Sequence, residues 1–292
     1  METGTKYIVN LSGGKDSTAM LLMLLEKGLP IDYIIFADTG KDFPQMHDHL
    51  RKLAEYIKAH HATAPPITVL KAEKSFDNLM FEHIKTKGKR KGSAGYGWAT
   101  MRARWCTAAL KTAVIAKFCR EIVNDNYLHY IGIASDEPER LKPDIHKTYP
   151  LADWGITEAA ALAYCYERGF DWGGLYQHFD RVSCWCCPLK NLKELRTLWR
   201  YYPELWAELK RMDERAYNQF RVDYSVVELE EKFKREEAKK ATYDLYEMKN
   251  LSADELRKGY RVITGLDNDD EFTDEQIYQY LLEALKETDD DQ

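Results

Sequence analysis

Short apolar stretches and longer amphipathic ones alternate along the first half of the chain. Residues 6–11 (KYIVNL) and 31–37 (IDYIIFA) are short, β-branched and bounded by turn residues, which predicts buried parallel strands. Between them, Ser17 to about Lys27 has helical spacing, and Gly28 is placed to end the helix. Pro44 to His60 predicts a second helix, and Ile67–Leu70 a third strand after the Pro65-Pro66 break. Thr107 to Glu121 is helical by period, and Tyr127–Ile133 reads as the next strand. This alternation predicts a doubly wound, mainly parallel α/β sheet. Beyond about residue 190 the strand signals fade. Leu192, Leu195, Leu198, Trp199 and Tyr202 recur at helical spacing, followed by Leu205, Trp206, Leu209 and Met212 after Pro203. Capping boxes stand at Ser252-x-x-Glu255 and Thr273-x-x-Gln276. The expected organisation is an α/β domain over 1–190 and a helical C-terminal extension over 191–292.

Composition narrows this little. A chain of 292 residues that is 45% hydrophobic has an ordinary core to bury. The opening METGTKYIVN lacks a basic start followed by an apolar region, and the longest strictly apolar run is Ala19 to Leu25. The chain is therefore expected to be cytoplasmic, with no membrane partner. The net charge of −6 means that any contact with nucleic acid must be local. Three of the six cysteines fall within Cys184–Cys187, a clustering that reads as metal binding rather than a disulfide framework.

The strongest chemical signal is LSGGKDST, Leu11 to Thr18, at the first strand-to-helix junction. Adjacent glycines there let successive backbone N–H groups converge on an anion, and the following helix adds its positive end. Lys15 offers a point charge to a phosphate oxygen, and the Ser12 and Ser17 hydroxyls are candidate donors. A tight turn that merely joins two elements is the bland alternative; the full Ser-Gly-Gly-Lys-Asp-Ser string makes phosphate binding the better reading. It is not a Walker A loop, because the Gly-x4-Gly-Lys spacing is absent.

The string resembles the SGGxDS signature of the PP-loop ATP pyrophosphatase superfamily. Five further stretches make the chain similar to one branch of it, the phosphoadenosine-phosphosulfate (PAPS) reductase family, whose fold is adenine nucleotide alpha hydrolase-like. FADTGKDFP (36–44) resembles the family's second-strand motif, which implies that Asp38, Thr39 and Gly40 lie near the nucleotide. RWCTAALK (104–111) resembles its cysteine-plus-lysine segment. GIASDEPERL (132–141) and YPLADW (149–154), with a later G…LY segment, resemble its Gly-x-Arg and Pro-Leu-x-x-Trp stretches. VSCWCCP (182–188) aligns with its Cys-x-x-Cys run. The departures are informative. Ala134 stands where the family has an arginine, although Arg140 remains; Cys106 stands alone where iron–sulfur members carry a Cys-Cys pair; and no cysteine follows Cys187 in the place of the reductases' catalytic thiol.

Cys184, Cys186 and Cys187, with Cys106, make four thiolates, enough for a soft metal site. A [4Fe–4S] cluster ranks first, because neighbouring cysteines can each bind a separate iron, and Zn²⁺ ranks second. A third arrangement, found among related tRNA thiolases, uses Cys106, Cys184 and Cys187 and leaves one iron open. Cys119 and Cys165, on apolar helix faces, read as core residues. All eight histidines read as structural, and the acidic run Asp267–Glu271 as a solvated connector rather than a calcium loop.

KTKGKRKG (85–92) precedes a Gly/aromatic loop, SAGYGWATMRARW. The glycines suggest a mobile loop. Lys85–Arg104, with Tyr96, Trp98, Arg102 and Arg104, is the expected grip on a tRNA or DNA backbone, or alternatively a lid over a nucleotide. The resemblance implies an AMP-forming ATP pyrophosphatase using Mg²⁺ and coupled to sulfur transfer, with a sulfur-donor protein as a further expected partner. Lys15 and Lys111 are its phosphate-charge candidates, and Asp16 and Asp38 orient magnesium or nucleotide. The alternatives are a phosphoadenylyl or adenylyl sulfate reductase and a non-catalytic nucleotide-binding subunit.

Overall fold

The computed structural model describes residues 4–123, 126–247, 252–266 and 268–286. Its centre is a five-stranded, all-parallel sheet in the order β3-β2-β1-β4-β5, built from β1 (Lys6–Asn10), β2 (Tyr33–Asp38), β3 (Ile67–Lys71), β4 (Tyr127–Ile131) and β5 (Lys147–Thr148). Four strands were legible as β-branched runs. The two-residue β5 was not, because so short a pairing leaves no periodicity to read.

Helix α1 (Lys15–Glu26) crosses from β1 to β2, with Met20, Leu21, Leu22 and Leu24 wholly buried. Its near-continuous apolar surface is the signature of a helix enclosed on most sides. Gly28, at φ +64°, ends it in a left-handed turn, its N–H donating to Leu25 O. Helix α2 (Pro44–His60) keeps the predicted bounds and buries Met46, His49, Leu53 and Ile57. On the sheet, Ile8 and Ile35 pack with Cys119 and Val123 from the helical stretch that begins at Trp105. That stretch is not uniform: Trp105–Thr107 and Ala113–Phe118 are α, whereas Ala108–Thr112 and Cys119–Val123 are wound as wider π turns.

The chain resolves into two compact units, Met1–Arg221 and Val222–Gln292, so the break falls later than the expected boundary at 190. The helices Leu192–Tyr201 and Pro203–Arg215 belong to the α/β unit for a packing reason. Leu195, Leu198, Trp206, Leu209 and Met212 are buried in it. Tyr202 stacks edge-on against Phe43, and the Trp98 indole donates to Asp213 Oδ1 at 2.8 Å.

The second unit comprises helices Val226–Glu247, Ala253–Thr264 and Asp274–Lys286. Tyr260, Ile277 and Leu281 form a small core, and the Ser252 capping box is present. The Thr273 side chain likewise accepts from Gln276 N while Gln276 returns to Thr273 N. Asp269 corrects the reading of its acidic run as solvated: its carboxylate is buried and takes both arms of the Arg261 guanidinium at 2.6 and 2.8 Å. Asp267 lies outside the described residues. Among the described residues, no helix is long and apolar enough to cross a membrane.

Candidate functional site

The strand order reverses between β1 and β4, and the loops leaving their carboxyl ends meet there, where open α/β sheets bind ligands. The approach is close. A Cβ on Gly132, just after β4, would fall 2.8 Å from the Ser17 backbone, so only glycine fits. Gly13 is held to glycine chiefly by its φ of +80°, and a Cβ there would also press on the Met46 side chain of α2. Gly14 caps α1. The two loop hydroxyls brace the turn instead of pointing outward: Ser12 Oγ and Ser17 Oγ lie 2.9 Å apart, and Ser17 Oγ accepts from Ser12 N and donates to Gly14 O.

Two residues that the sequence reading missed hold this loop from behind. The buried Trp172 indole donates to Gly13 O at 2.7 Å, and Lys15 N–H donates to Tyr176 Oη at 2.7 Å. Trp172 is the one described non-glycine residue at positive φ (52°), followed by Gly173 and Gly174, both also left-handed. Backbone strain of this kind persists only where packing enforces it. Here the enforcement is the Gly13 contact and a His49 ring stacked at 4.4 Å. The available signal was the Trp-Gly-Gly-Leu-Tyr string itself.

Three carboxylates converge beside Lys15. Asp16, Glu137 and Glu158 each place an oxygen within 4.8 Å of the others, the set of this kind found among the described residues. Lys15 Nζ lies 3.3 Å from Asp16 Oδ2 and 3.3 Å from Glu158 Oε1. Arg140 and Arg181 both pair with Glu137, and Arg181 also reaches Glu158 at 3.6 Å. Burial, with Glu158 alongside, lifts the Asp16 carboxyl above its ordinary range against the pull of Lys15. At Glu137 burial pushes the same way, but the Arg140 and Arg181 guanidiniums outweigh it and hold that carboxyl low. Asp16 Oδ1 and Glu158 Oε1 are buried without a hydrogen bond. Of these, Asp16 Oδ1 has no partner among the described residues, while Glu158 Oε1 faces the Lys15 and Arg181 cations. Buried hard oxygen donors of this kind fit a divalent cation that keeps most of its other ligands as water and phosphate. Glu137 and Arg140 lie within GIASDEPERL, whereas Glu158, at the start of helix Glu158–Glu167, reads in sequence as a helix-start acid.

The remaining expected residues gather elsewhere. Asp38 Oδ1 accepts from Gly40 N at 2.8 Å, and Oδ2 pairs with Lys71, so Asp38 shapes the turn after β2 and is not part of the carboxylate set. Thr39 Oγ1 donates to Asp42 Oδ2 and lies 3.5 Å from Cys184 Sγ. The field of Lys111 acts on Asp42 and Cys184, which puts this lysine on the thiol side. The cysteine loop is pinned by Trp185 N–H to Lys41 O, Cys187 N–H to Cys184 O and the buried Lys190 ammonium to Ser183 Oγ.

Cys187 feels Cys106, and Cys184 feels Cys187, while the fully buried Cys186 neighbours Cys184 and Lys41. Burial, aided by Asp42, pushes the Cys184 thiol up to about 11, and burial also raises Cys186 and Cys187. No three thiols among the described residues lie within 4.8 Å of one another. A ZnS₄ tetrahedron has edges of about 3.8 Å, given Zn–S bonds of about 2.3 Å. The donor set is all sulfur, a chemistry common to iron–sulfur clusters and to four-cysteine zinc sites. Cys119 and Cys165 are buried core thiols, as expected.

The family model for the phosphoadenosine phosphosulfate reductase domain matches residues 6–190, a span that holds every stretch quoted above. The chain belongs to the phosphoadenosine phosphosulfate reductase family. Members of this family are generally enzymes that bind adenine nucleotides. The chain is 28% identical over 221 residues to an uncharacterized protein of Methanocaldococcus jannaschii, covering 69% of this chain and 40% of that one. It is also 28% identical over 181 residues to an uncharacterized nin region protein of Escherichia phage lambda, covering 56% of this chain and 60% of the relative. The chain therefore spans less than two thirds of the length of either relative.

Proposed function

We propose that this family member is an AMP-forming ATP pyrophosphatase that activates an acceptor for sulfur transfer. One observation carries the reading: Thr39, at the end of β2, touches Cys184, so the nucleotide end of the sheet and the thiol loop share one strand exit. That contact supports a reading in which a metal held by the thiols would stand beside an acceptor activated at the sheet end.

In this reading the phosphates lie over Ser12, Gly13, Gly14, Lys15, Asp16 and Ser17. Asp16, Glu137 and Glu158 would hold Mg²⁺, which when bound would neutralise phosphate charge. An acceptor oxygen attacks the α-phosphorus, the α–β bridge breaks, and pyrophosphate leaves toward Lys15 and the positive end of α1. A sulfur nucleophile then displaces AMP from the acceptor, forming a carbon–sulfur bond where the carbon–oxygen bond breaks. Cys106, Cys184 and Cys187, with or without Cys186, would hold a [4Fe–4S] cluster, which when bound supplies a site for sulfur. The residues around the thiols, Lys111, Asp42 and Thr39, set the charge and polarity of that side. The runner-up, a sulfonucleotide reductase, needs a nucleophilic thiol, and Cys119 and Cys165 are both buried, Cys165 being pushed up to about 12 by burial.

A thermal-shift series with Mg·ATP, PAPS and adenylyl sulfate tests the reading. Ligand at ~100 times its dissociation constant adds ~2.7 kcal/mol to the folded state. Mg·ATP is expected to stabilise most; strong stabilisation by PAPS with none by ATP would overturn the proposal in favour of the reductase.

A further inference from the structure

Glu137 has two arginines where one would balance it. Its side chain is only 10% exposed and pairs with both Arg140 and Arg181, while Arg181 itself stays 52% exposed. Around it, Asp16, Glu137 and Glu158 carry three negative charges against three positive ones on Lys15, Arg140 and Arg181. The ionic set is neutral as it stands, so a polyphosphate arriving alone would meet no net positive charge there. Arg181 is the partner with most surface free.

Position 134 cannot supply a cation to this site. Ala134 is wholly buried, and the chain leaving β4 is pressed against the start of α1 at Gly132. Arg181 comes from the loop just ahead of Cys184 and pairs with Glu137 and Glu158. We propose that Arg181 is a phosphate-binding residue of the nucleotide site, parked on Glu137 and Glu158 until a divalent cation takes those carboxylates. The proposal rests on the nucleotide reading above. Its physical basis is a difference in preference. A small divalent cation favours hard carboxylate oxygens, whereas a guanidinium is weakly hydrated and matches phosphate through two parallel hydrogen bonds. Cation binding therefore turns a neutral cluster into one with arginines free for phosphate. Because Arg181 lies three residues before Cys184, the same residue ties phosphate occupancy to the thiol loop.

The exchange predicts effects of opposite sign, which a purely structural ion pair would not produce. Mn²⁺ alone, and Mg²⁺ with α,β-methylene ATP, would be titrated calorimetrically into wild type, Arg181→Gln, Arg181→Lys and the distant control Arg211→Gln. Arg181→Gln is expected to weaken the nucleotide roughly 10- to 100-fold, the value of a charge-assisted contact. The same variant should bind Mn²⁺ alone roughly two- to fivefold more tightly, since a competing cation has been removed. Arg181→Lys, which keeps the charge and guards against misfolding, should recover part of the nucleotide affinity, and Arg211→Gln should match wild type. Unchanged nucleotide affinity in Arg181→Gln, or weakening of both ligands together, overturns the proposal. If wild type takes PAPS and refuses the ATP analogue, the proposed function fails, and Arg181 is judged on PAPS by the same opposite-sign criterion. If wild type binds neither nucleotide, both fail.

Discussion

His49 sits beneath the phosphate loop, its ring 4.4 Å from the Trp172 indole and its Nε2 3.0 Å from Thr18 Oγ1. Burial, reinforced by Lys52, lowers its pKa from 6.5 to about 4, so it is neutral in the native protein. Below pH 6.5 the unfolded chain takes up a proton that the folded chain refuses. The stability contributed by the neutral ring is thus complete above pH 6.5 and is lost as pH falls toward about 4, by ~3 kcal/mol over the window. Urea titrations at several pH values should show this slope, and His49→Gln should flatten it. An unchanged slope would mean that the ring is not buried neutral. His129, also lowered to about 4 by burial, adds a contribution of the same sign, so the slope should fall in His49→Gln without vanishing.

At the scale of elements, the loop that carries Cys184–Cys187 and the helical stretch that carries Cys106 must be brought together for metal to bind. Protein purified without oxygen is expected to be brown and to contain iron and acid-labile sulfide. Cys184→Ala or Cys187→Ala should abolish both, while Cys119→Ala should change neither. Cys186→Ala separates two arrangements: retained colour indicates three cysteine ligands, and lost colour indicates four. Because burial keeps Cys184 protonated up to about 11, loading should also release protons, measurable in weakly buffered solution. Colourless protein with one equivalent of zinc would rule out the cluster and keep the ligands.

On the scale of the whole molecule, an acidic chain meets a polyanion only through a local patch. Lys87, Lys89, Arg90, Lys91, Arg102 and Arg104 are exposed on the α/β unit and are the candidates for one. The structure removes part of the expected grip. Lys85 is buried against the Tyr217 ring at 4.3 Å, and Trp98 is buried and bonded to Asp213. The loop glycines serve close approach: a Cβ on Gly95 would strike Met80 O, and one on Gly97 would strike Asn218 Oδ1. Any binding should therefore be mostly electrostatic, with little base stacking. If tRNA or DNA is the acceptor, changing Lys89, Arg90 and Lys91 together to alanine should lower the log–log salt slope by up to about 3. ATP affinity should hold, since Lys15 and Arg181 are elsewhere. A lid would behave in the opposite way, losing ATP affinity while wild type binds neither polymer at physiological salt.

The amino-acid sequence alone was enough for the alternation of strands and helices, the bounds of α2, the phosphate loop after β1 and the family. Each of these rests on short-range information: periodicity, capping, or a string whose backbone geometry demands glycine. Tertiary structure decided what depends on groups distant along the chain. Glu137 reaches Asp16 because β1 and β4 are neighbours in the sheet, while Glu158 and Arg181 join Glu137 from segments later in the chain, and no local pattern records that meeting. Trp172 reads as a core aromatic until its indole is seen bonded to Gly13. Asp38 matched the family motif, yet the Lys71 ammonium on the adjacent strand engages it. Trp98 stood in a glycine-rich basic stretch that read as exposed, and helix Pro203–Arg215 buried it, since a hydrogen-bonded indole gains more from a packed partner than from water.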